Sequence, residues 1–300
     1  MIQKPLLSVC LITYNHEKYI RETLDGIFIQ QTNFPFEVII ADDFSRDNTR
    51  NIILEYQEKY PEIIQLIFQE KNVGPALNWL DLMHSPKGKY VAYLEGDDYW
   101  TNPLKLQKQV DFLEENPDYS ICFHNIQEVD FESNIIQNSR LKSEETEKTY
   151  TLENLASGNL IYTPSVVFRK NYAELPSFIK YCPIGDYPLH LLNASFGLIK
   201  YFPEKMAAYR VGVGVWSSKS ELFQIVNTLT TLKFLMMHFS STPEITKILE
   251  QQYKMLLGKI EKILETTRDS GIPPEKLAYN LPIRKLGSIF LKKLKYSFLK

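Results

Sequence analysis

Glycine is scarce in this chain, at 12 of 300 residues, and the turn after the first apolar segment, "TYNHEKY", has none. A dinucleotide fold needs a glycine-rich turn there so that backbone amides can approach a pyrophosphate, and a Walker loop needs one for the same reason. Both are excluded. The three cysteines, Cys10, Cys122 and Cys182, are too few and too scattered for a disulfide framework or a zinc cluster. They read as small buried apolar residues in a reducing compartment. The five histidines (16, 84, 124, 190 and 238) show no ligand-pair spacing. A formal net charge of −2 excludes a general nucleic-acid binder, which needs a basic surface. No apolar run reaches the roughly 18–20 residues that span a bilayer. The N-terminal "MIQKPLLSVCLITYN" lacks a small-residue cleavage site and reads as a first strand, so a soluble, cytoplasmic protein is expected.

What is present is a core: 44% hydrophobic and 13% aromatic residues suffice for a packed domain of this length. Strand-like and helix-like segments alternate. "LLSVCLIT" (6–13), "FEVIIAD" (36–42), "IIQLIFQ" (63–69) and "KYVAYLE" (89–95) read as strands. Between them "HEKYIRETLDGIFIQ", "SRDNTRNIILEYQEKY" and "PALNWLDLMH" read as helices, the second with Ser45 or Asp47 as its cap. The expected class is α/β, with a mostly parallel sheet flanked by helices. After Trp100 a helix (104–116), the strand "YSICFHNIQEV" and an irregular excursion over 131–150 follow. "GNLIYTPSVVFRK" is strand-like, "IGDYPLHLLNASFG" enters a helix, and "LIKYFPEKMAAYRVGVG" predicts a strand pair. From about 219 the pattern is helical to the end.

Ligands of such sheets bind beyond the carboxyl ends of the strands. Those ends carry Thr13-Tyr14-Asn15, then Asp42-Asp43, then Glu95-Gly96-Asp97-Asp98. Carboxylates this close repel and resist burial unless a cation joins them. A diphosphate at this edge would likewise need a counter-charge that the glycine-free turn does not supply. One divalent ion, Mg2+ or Mn2+, held by Asp98 and Asp97, serves both needs. The residues alone also allow a plain turn, with Asp98 capping the helix after Asn102-Pro103. Asp43 has two readings as well, a turn residue or an acceptor for a base N–H such as that of uracil.

Five blocks in order, "LSVCLITYNHEKYIRETLDGI", "FEVIIADDFSRDNT", "NVGPALNW", "GKYVAYLEGDDYWTNPLKLQKQVDFLEENP" and "GDYPLHLLNASFGLIKYFPEKMAAYRVGVGVWS", resemble the family 2 nucleotide-sugar glycosyltransferases with the GT-A fold, over residues 6–217. The resemblance implies a GT-A domain over 1–220, with a nucleotide-binding half (1–100) and an acceptor half (101–220); the helical periodicity that follows implies a helical extension over 221–300. It implies that Thr13, Tyr14, Asn15, Glu17 and Asp43 line the pocket for base and ribose, with Gly74 and Asn78 in the block that closes over the nucleotide. Asp97 would face the ribose and Asp98 would ligate the metal. The implied activity is metal-dependent, inverting, non-processive transfer of a sugar, with UDP favoured in the donor, to a hydroxyl of a glycan or lipid-linked acceptor in surface-polysaccharide synthesis. Asp186 would be the base, although an aspartate ahead of Tyr187-Pro188 also looks like a helix cap, and both can hold. Arg210 and Trp216 are expected on a loop closing over diphosphate and acceptor, Trp216 being equally open to a packing role.

One departure from the family pattern stands out. Where many members carry a metal-completing histidine after "AYR", this chain has Gly212. The "QxxRW" signature of processive members is missing too. A sugar-nucleotide-binding protein without turnover is the main alternative. A nucleotidyltransferase is a weaker one, since its basic, glycine-rich phosphate loop is not visible. Residues 282–300, "PIRKLGSIFLKKLKYSFLK", form a basic amphipathic pattern. It suits either peripheral contact with the inner membrane face or packing on the domain.

Overall fold

The computed structural model describes residues 4–136, 146–214 and 216–269. The basic segment 282–300 and part of the 131–150 excursion lie outside them.

The first half alternates as the periodicity predicts. Strands β1 (Leu7–Thr13), β2 (Phe36–Asp42), β3 (Ile64–Phe68) and β4 (Tyr90–Glu95) enclose helices α1 (Ile20–Phe28), α2 (Thr49–Lys59) and α3 (Pro75–His84). Then come β5 (Tyr99–Trp100), α4 (Lys105–Glu115), β6 (Tyr119–Val129), β7 (Lys148–Tyr150), α5 (Leu152–Ala156) and β8 (Val167–Arg169). The chain continues through α6 (Asp186–Ala194), β9 (Leu198–Arg210), α7 (Glu221–His238) and α8 (Pro243–Asp269). The strands form one sheet in the order β3-β2-β1-β4-β8-β6-β9-β5, with β7 also pairing β9. The pairs β3-β2, β2-β1, β1-β4 and β6-β9 are parallel. β8 runs antiparallel to both β4 and β6, which makes the sheet mixed.

Period-two burial divides the core between two faces. Val9, Leu11, Val38, Ile40, Ala92 and Leu94 pack with α1, α2 and α4 on one face. Cys10, Ile39, Val91, Tyr93, Ile121 and Phe123 pack on the other against α3, α5 and α6, and α7 and α8 join the same cluster. Both faces being covered, the strands read as continuous apolar runs. Among the described residues no helix is long and apolar enough to cross a membrane.

Four expectations are corrected. "LIKYFPEKMAAYR" is one thirteen-residue strand, β9, because the register against β6 jumps from His124↔Phe202 to Asn125↔Lys205. Pro203 and Glu204 bulge out there, so the missing proline amide costs no ladder bond. The strand-like 158–170 contributes only Val167–Arg169. The position ahead of α2 belongs to Asn48, not to Ser45 or Asp47, but Asn48 makes no side-chain cap bond, and Asp47 Oδ1 accepts from Thr49 N, the first helical amide, at 3.1 Å. Tyr99–Trp100 pairs with β9, so the acidic turn joins two strands and Asp98 caps no helix.

Candidate functional site

The carboxyl ends of β1, β2 and β4 lie side by side, Thr13 opposite Asp42 and Ile12 opposite Glu95. The glycine-free turn after β1 is fastened to the turn after β2. Asn15 takes the left-handed φ of 55° that asparagine tolerates better than most side chains. Its N–H donates to Ser45 Oγ at 2.8 Å, and its Oδ1 accepts from Arg46 N at 2.8 Å. His16 N donates to Thr49 Oγ1 at 2.8 Å and Glu17 N to Asp47 Oδ2 at 3.1 Å. The three amides that a glycine-rich loop would aim at a pyrophosphate are thus already engaged. Glu17 is exposed, and its carboxylate accepts from Asn48 N at 2.8 Å. Tyr14 is exposed beside it, while Thr13 is buried with Oγ1 3.2 Å from His16 Nδ1.

The two aspartates after β2 have different duties. Asp42 is fully buried and serves the turn, bonded to Ser45 and paired with Arg50. Asp43 reaches across to the loop after β3, accepting from Val73 N at 2.7 Å and Gly74 N at 3.0 Å. Burial raises its carboxyl above the usual range, and the two amide bonds oppose that shift. Gly74, at φ 88°, starts α3. Asn78 is buried, with Nδ2 on Ala41 O at 3.1 Å, so its side chain braces β2 and is not displayed at the pocket surface.

The acidic turn nests on the first turn. A Cβ on Gly96 would lie 2.6 Å from Thr13 Oγ1 and 2.7 Å from His16 Nδ1, so only glycine fits. Asp97 and Asp98 are both buried. Asp98 Oδ1 accepts from Arg210 N at 2.8 Å, whereas Oδ2 is buried with no partner. Burial pushes this carboxyl well above its usual range, with Asp97 and Glu95 adding to the effect. Glu95 is pushed up to about 8, first by burial and then by the charges of Asp97 and Asp186. A buried carboxylate oxygen without a donor is the chemistry expected of a ligand to a hard cation. Among the described residues no three His, Cys, Asp or Glu side chains are grouped to hold a metal. That leaves Asp98, with Asp97 beside it on the same turn, as the residues that could hold an ion whose remaining ligands come from phosphate and water.

Asp186 is the first residue of α6, and Gly185 occupies the cap position, so the side chain is not a classical-position cap. Its Oδ1 accepts its neighbour Tyr187 N at 2.7 Å, Asn159 Nδ2 stands 3.4 Å from Oδ2, and burial raises its carboxyl above the usual range. Trp79 from α3 packs under this corner: a Cβ on Gly185 would sit 3.0 Å from the indole ring. Gly214, on the loop after β9, lies against Asp97, its own Cβ position 2.8 Å from Oδ2. Trp216 is on the same loop, 37% exposed. Arg210 differs from expectation. It is the last residue of β9, 1% exposed, and its guanidinium is bonded to protein acceptors instead of facing the pocket. Sequence reasoning also gave no role to His16 and Trp79, although both lie in the quoted blocks, because their places against Gly96 and Gly185 show only in the fold.

Residues 8–174 match the model of glycosyl transferase family 2. An uncharacterized protein of Mycobacterium tuberculosis is 41% identical over 215 residues, covering 71% of this chain and 61% of its own. The chain thus spans about three-fifths of that relative's length. The putative teichuronic acid biosynthesis glycosyltransferase TuaG of Bacillus subtilis is 39% identical over 112 residues, 37% of this chain and 43% of its own. Among solved structures, TarS of S. aureus in complex with UDP superposes with a TM-score of 0.53 at 23% identity, covering 78% of this chain and 72% of that one, which shows the shared fold.

Proposed function

Because the chain belongs to glycosyl transferase family 2, we propose that it transfers a sugar from a nucleoside-diphosphate sugar, with UDP the favoured nucleotide, to an acceptor hydroxyl with inversion at the anomeric carbon. The observation that carries this reading is the buried, unpartnered Oδ2 of Asp98 at the sheet edge, next to carboxylates that a cationic ligand would stabilise in their charged form. Mn2+ or Mg2+ bound at Asp98 would supply the positive charge that offsets a departing diphosphate.

This chain's own residues do the rest. Asp43 fixes the 72–74 loop across the mouth of the donor pocket, and its remaining lone pairs can accept an imide N–H. Tyr14 offers an exposed ring beside it. Asp186 takes the proton of the acceptor hydroxyl as the new oxygen–carbon bond forms and the carbon–phosphate-oxygen bond breaks. The electron pair leaves with the diphosphate, so charge and protons balance. Burial above its usual range makes Asp186 a stronger base than a solvated carboxylate. The kinship with TuaG supports an acceptor in surface-polysaccharide synthesis.

The test is calorimetry and transfer on the whole chain. UDP with Mn2+ should bind wild type, and Asp98→Ala should weaken that binding by about ten-fold or more, the loss of one charged ligand contact. Equal affinity in both proteins would refute the metal role. Release of UDP from a UDP-sugar only when acceptor is present would establish transfer, and binding without release would favour a carrier.

A further inference from the structure

We propose that Arg210 is a positioning residue that joins the acidic turn of Asp97 and Asp98 to the hairpin over residues 130–134, so that turn and hairpin are held as one unit. The nucleotide arm of the test below rests on the transferase reading above; the tie itself does not.

The main chain of Arg210 donates to Asp98 Oδ1 at 2.8 Å, which leaves only Oδ2 free. Its Nε donates to Asp97 O at 2.9 Å. Nη1 turns the other way, donating to Asp130 O and Ser133 Oγ, each at 3.0 Å. Nη2 pairs with Glu22 Oε2 at 2.7 Å, and Ser133 Oγ also reaches that oxygen at 3.3 Å. The guanidinium lies against the rings of Tyr19 and Tyr99, 4.5 and 5.5 Å from their centroids. One buried side chain thus contacts α1, the acidic turn and the hairpin together.

The hairpin is built to be held. The Asp130 carboxylate accepts from Glu132 N and Asn134 N, both at 2.9 Å, and Ser133 adopts a left-handed φ of 67°. It displays Phe131 and Ile135, 63% and 65% exposed, at the sheet edge that carries the acidic turn. Two bonds from a rigid guanidinium fork fix it from beneath. A lysine at this position keeps the charge and the pairing with Glu22 but has no fork with which to span Asp97, Asp130 and Ser133. The main-chain bond to Asp98 survives either side chain, so substitution isolates the fork.

Hydrogen exchange on the whole chain decides the matter. Without nucleotide, Arg210→Lys should speed exchange of the amides of 132–136 and of 96–99 by about ten-fold while β1 and β2 stay unchanged. Ser133→Ala, which removes a single hydroxyl and cannot unfold the core, should speed 132–136 alone. UDP with Mn2+ should slow exchange at 132–136 in wild type and fail to do so in Arg210→Lys at saturating nucleotide. Unchanged hairpin rates in both variants, or equal slowing by UDP and Mn2+ in wild type and Arg210→Lys, would overturn the proposal. If calorimetry showed no UDP binding to wild type, the transferase reading would fail while the nucleotide-free exchange still decided the tie.

Discussion

Lys105, the first residue of α4, is fully buried two turns of chain beyond the acidic turn, and its removal should stabilise the protein at low pH. Its ammonium has Gln109 Oε1 at 2.8 Å and the Trp100 ring centroid at 4.3 Å, with Cys122 and His124 the ionisable groups that interact with it. Burial lowers its pKa from 10.5 to about 7. The unfolded chain therefore binds more protons than the folded one between those values, and stability must rise with pH across that window. At about 1.4 kcal/mol per unit, burying Lys105 costs about 5 kcal/mol below pH 6, where it stays charged, and about 2 kcal/mol at pH 9, where it is buried as the neutral amine. Lys105→Met removes that penalty but leaves Gln109 Oε1 unpaired, at a cost of about 1–3 kcal/mol. Attraction to the Trp100 face offsets part of the penalty as well. The net expectation is a variant more stable than wild type by about 2 kcal/mol at pH 6, with the advantage gone by pH 9. Urea unfolding of both proteins at the two pH values measures it. The difference between variant and wild type cancels the titration of Glu95, which shifts in the opposite sense. An advantage that did not change with pH would mean that Lys105 titrates normally, and that the core around Trp100 is wetter than its packing implies.

Three further outcomes follow from the site. Asp186→Asn should lower kcat by about 100- to 10,000-fold while leaving UDP affinity near wild type, and transfer at a near-normal rate would remove it as base. Because its carboxyl lies above the usual range, the acid limb of kcat/KM in wild type should fall at higher pH than a solvated aspartate would give; a limb at the ordinary value would disagree. Gly96→Ala would force Thr13 and His16 aside, so it should both weaken UDP binding and destabilise the fold by about 1–3 kcal/mol in urea unfolding, and a crystal structure with both turns unmoved would contradict the packing argument.

The parts legible in the sequence were those with a short-range physical signature. Apolar runs bounded by polar turns gave β1 to β4, and the rule that ligands meet strand ends brought Thr13, Asp43 and Asp98 to one edge before any geometry was known. Asp42 and Asp43 illustrate the limit. The residues allowed either to serve the turn, and the division of labour emerges only because Arg50, eight residues on, reaches Asp42 while Val73 and Gly74 reach Asp43. Long-range partners were illegible for the same reason. Nothing local marks Arg210 as buried, since arginine after an apolar strand is ordinarily a solvated end. Its acceptors come from residues 22, 97, 130 and 133. The strand pair expected at 198–214 failed because Pro203 reads as a break, whereas a bulge absorbs it without ending the strand.

The glycine-free turn and the acidic turn are two halves of one physical argument. The amides of Asn15, His16 and Glu17 are engaged by Ser45, Thr49 and Asp47, so this backbone cannot neutralise a diphosphate as a glycine-rich loop does. Arg210, the cation nearest the acidic turn, directs its guanidinium to backbone carbonyls, Ser133 and Glu22, and is equally committed. What stays uncommitted is an acceptor, Asp98 Oδ2. Among the described residues these donors are engaged and the free atom is a carboxylate oxygen, the arrangement that the proposed divalent ion would complete by bridging carboxylate and phosphate. Nucleotide affinity should therefore depend on the divalent ion as steeply as on Asp98 itself. Chelating the metal in wild type and substituting Asp98→Ala should give the same loss in UDP affinity, and the two losses should not add. Additive losses would mean that phosphate and Asp98 are served by different cations.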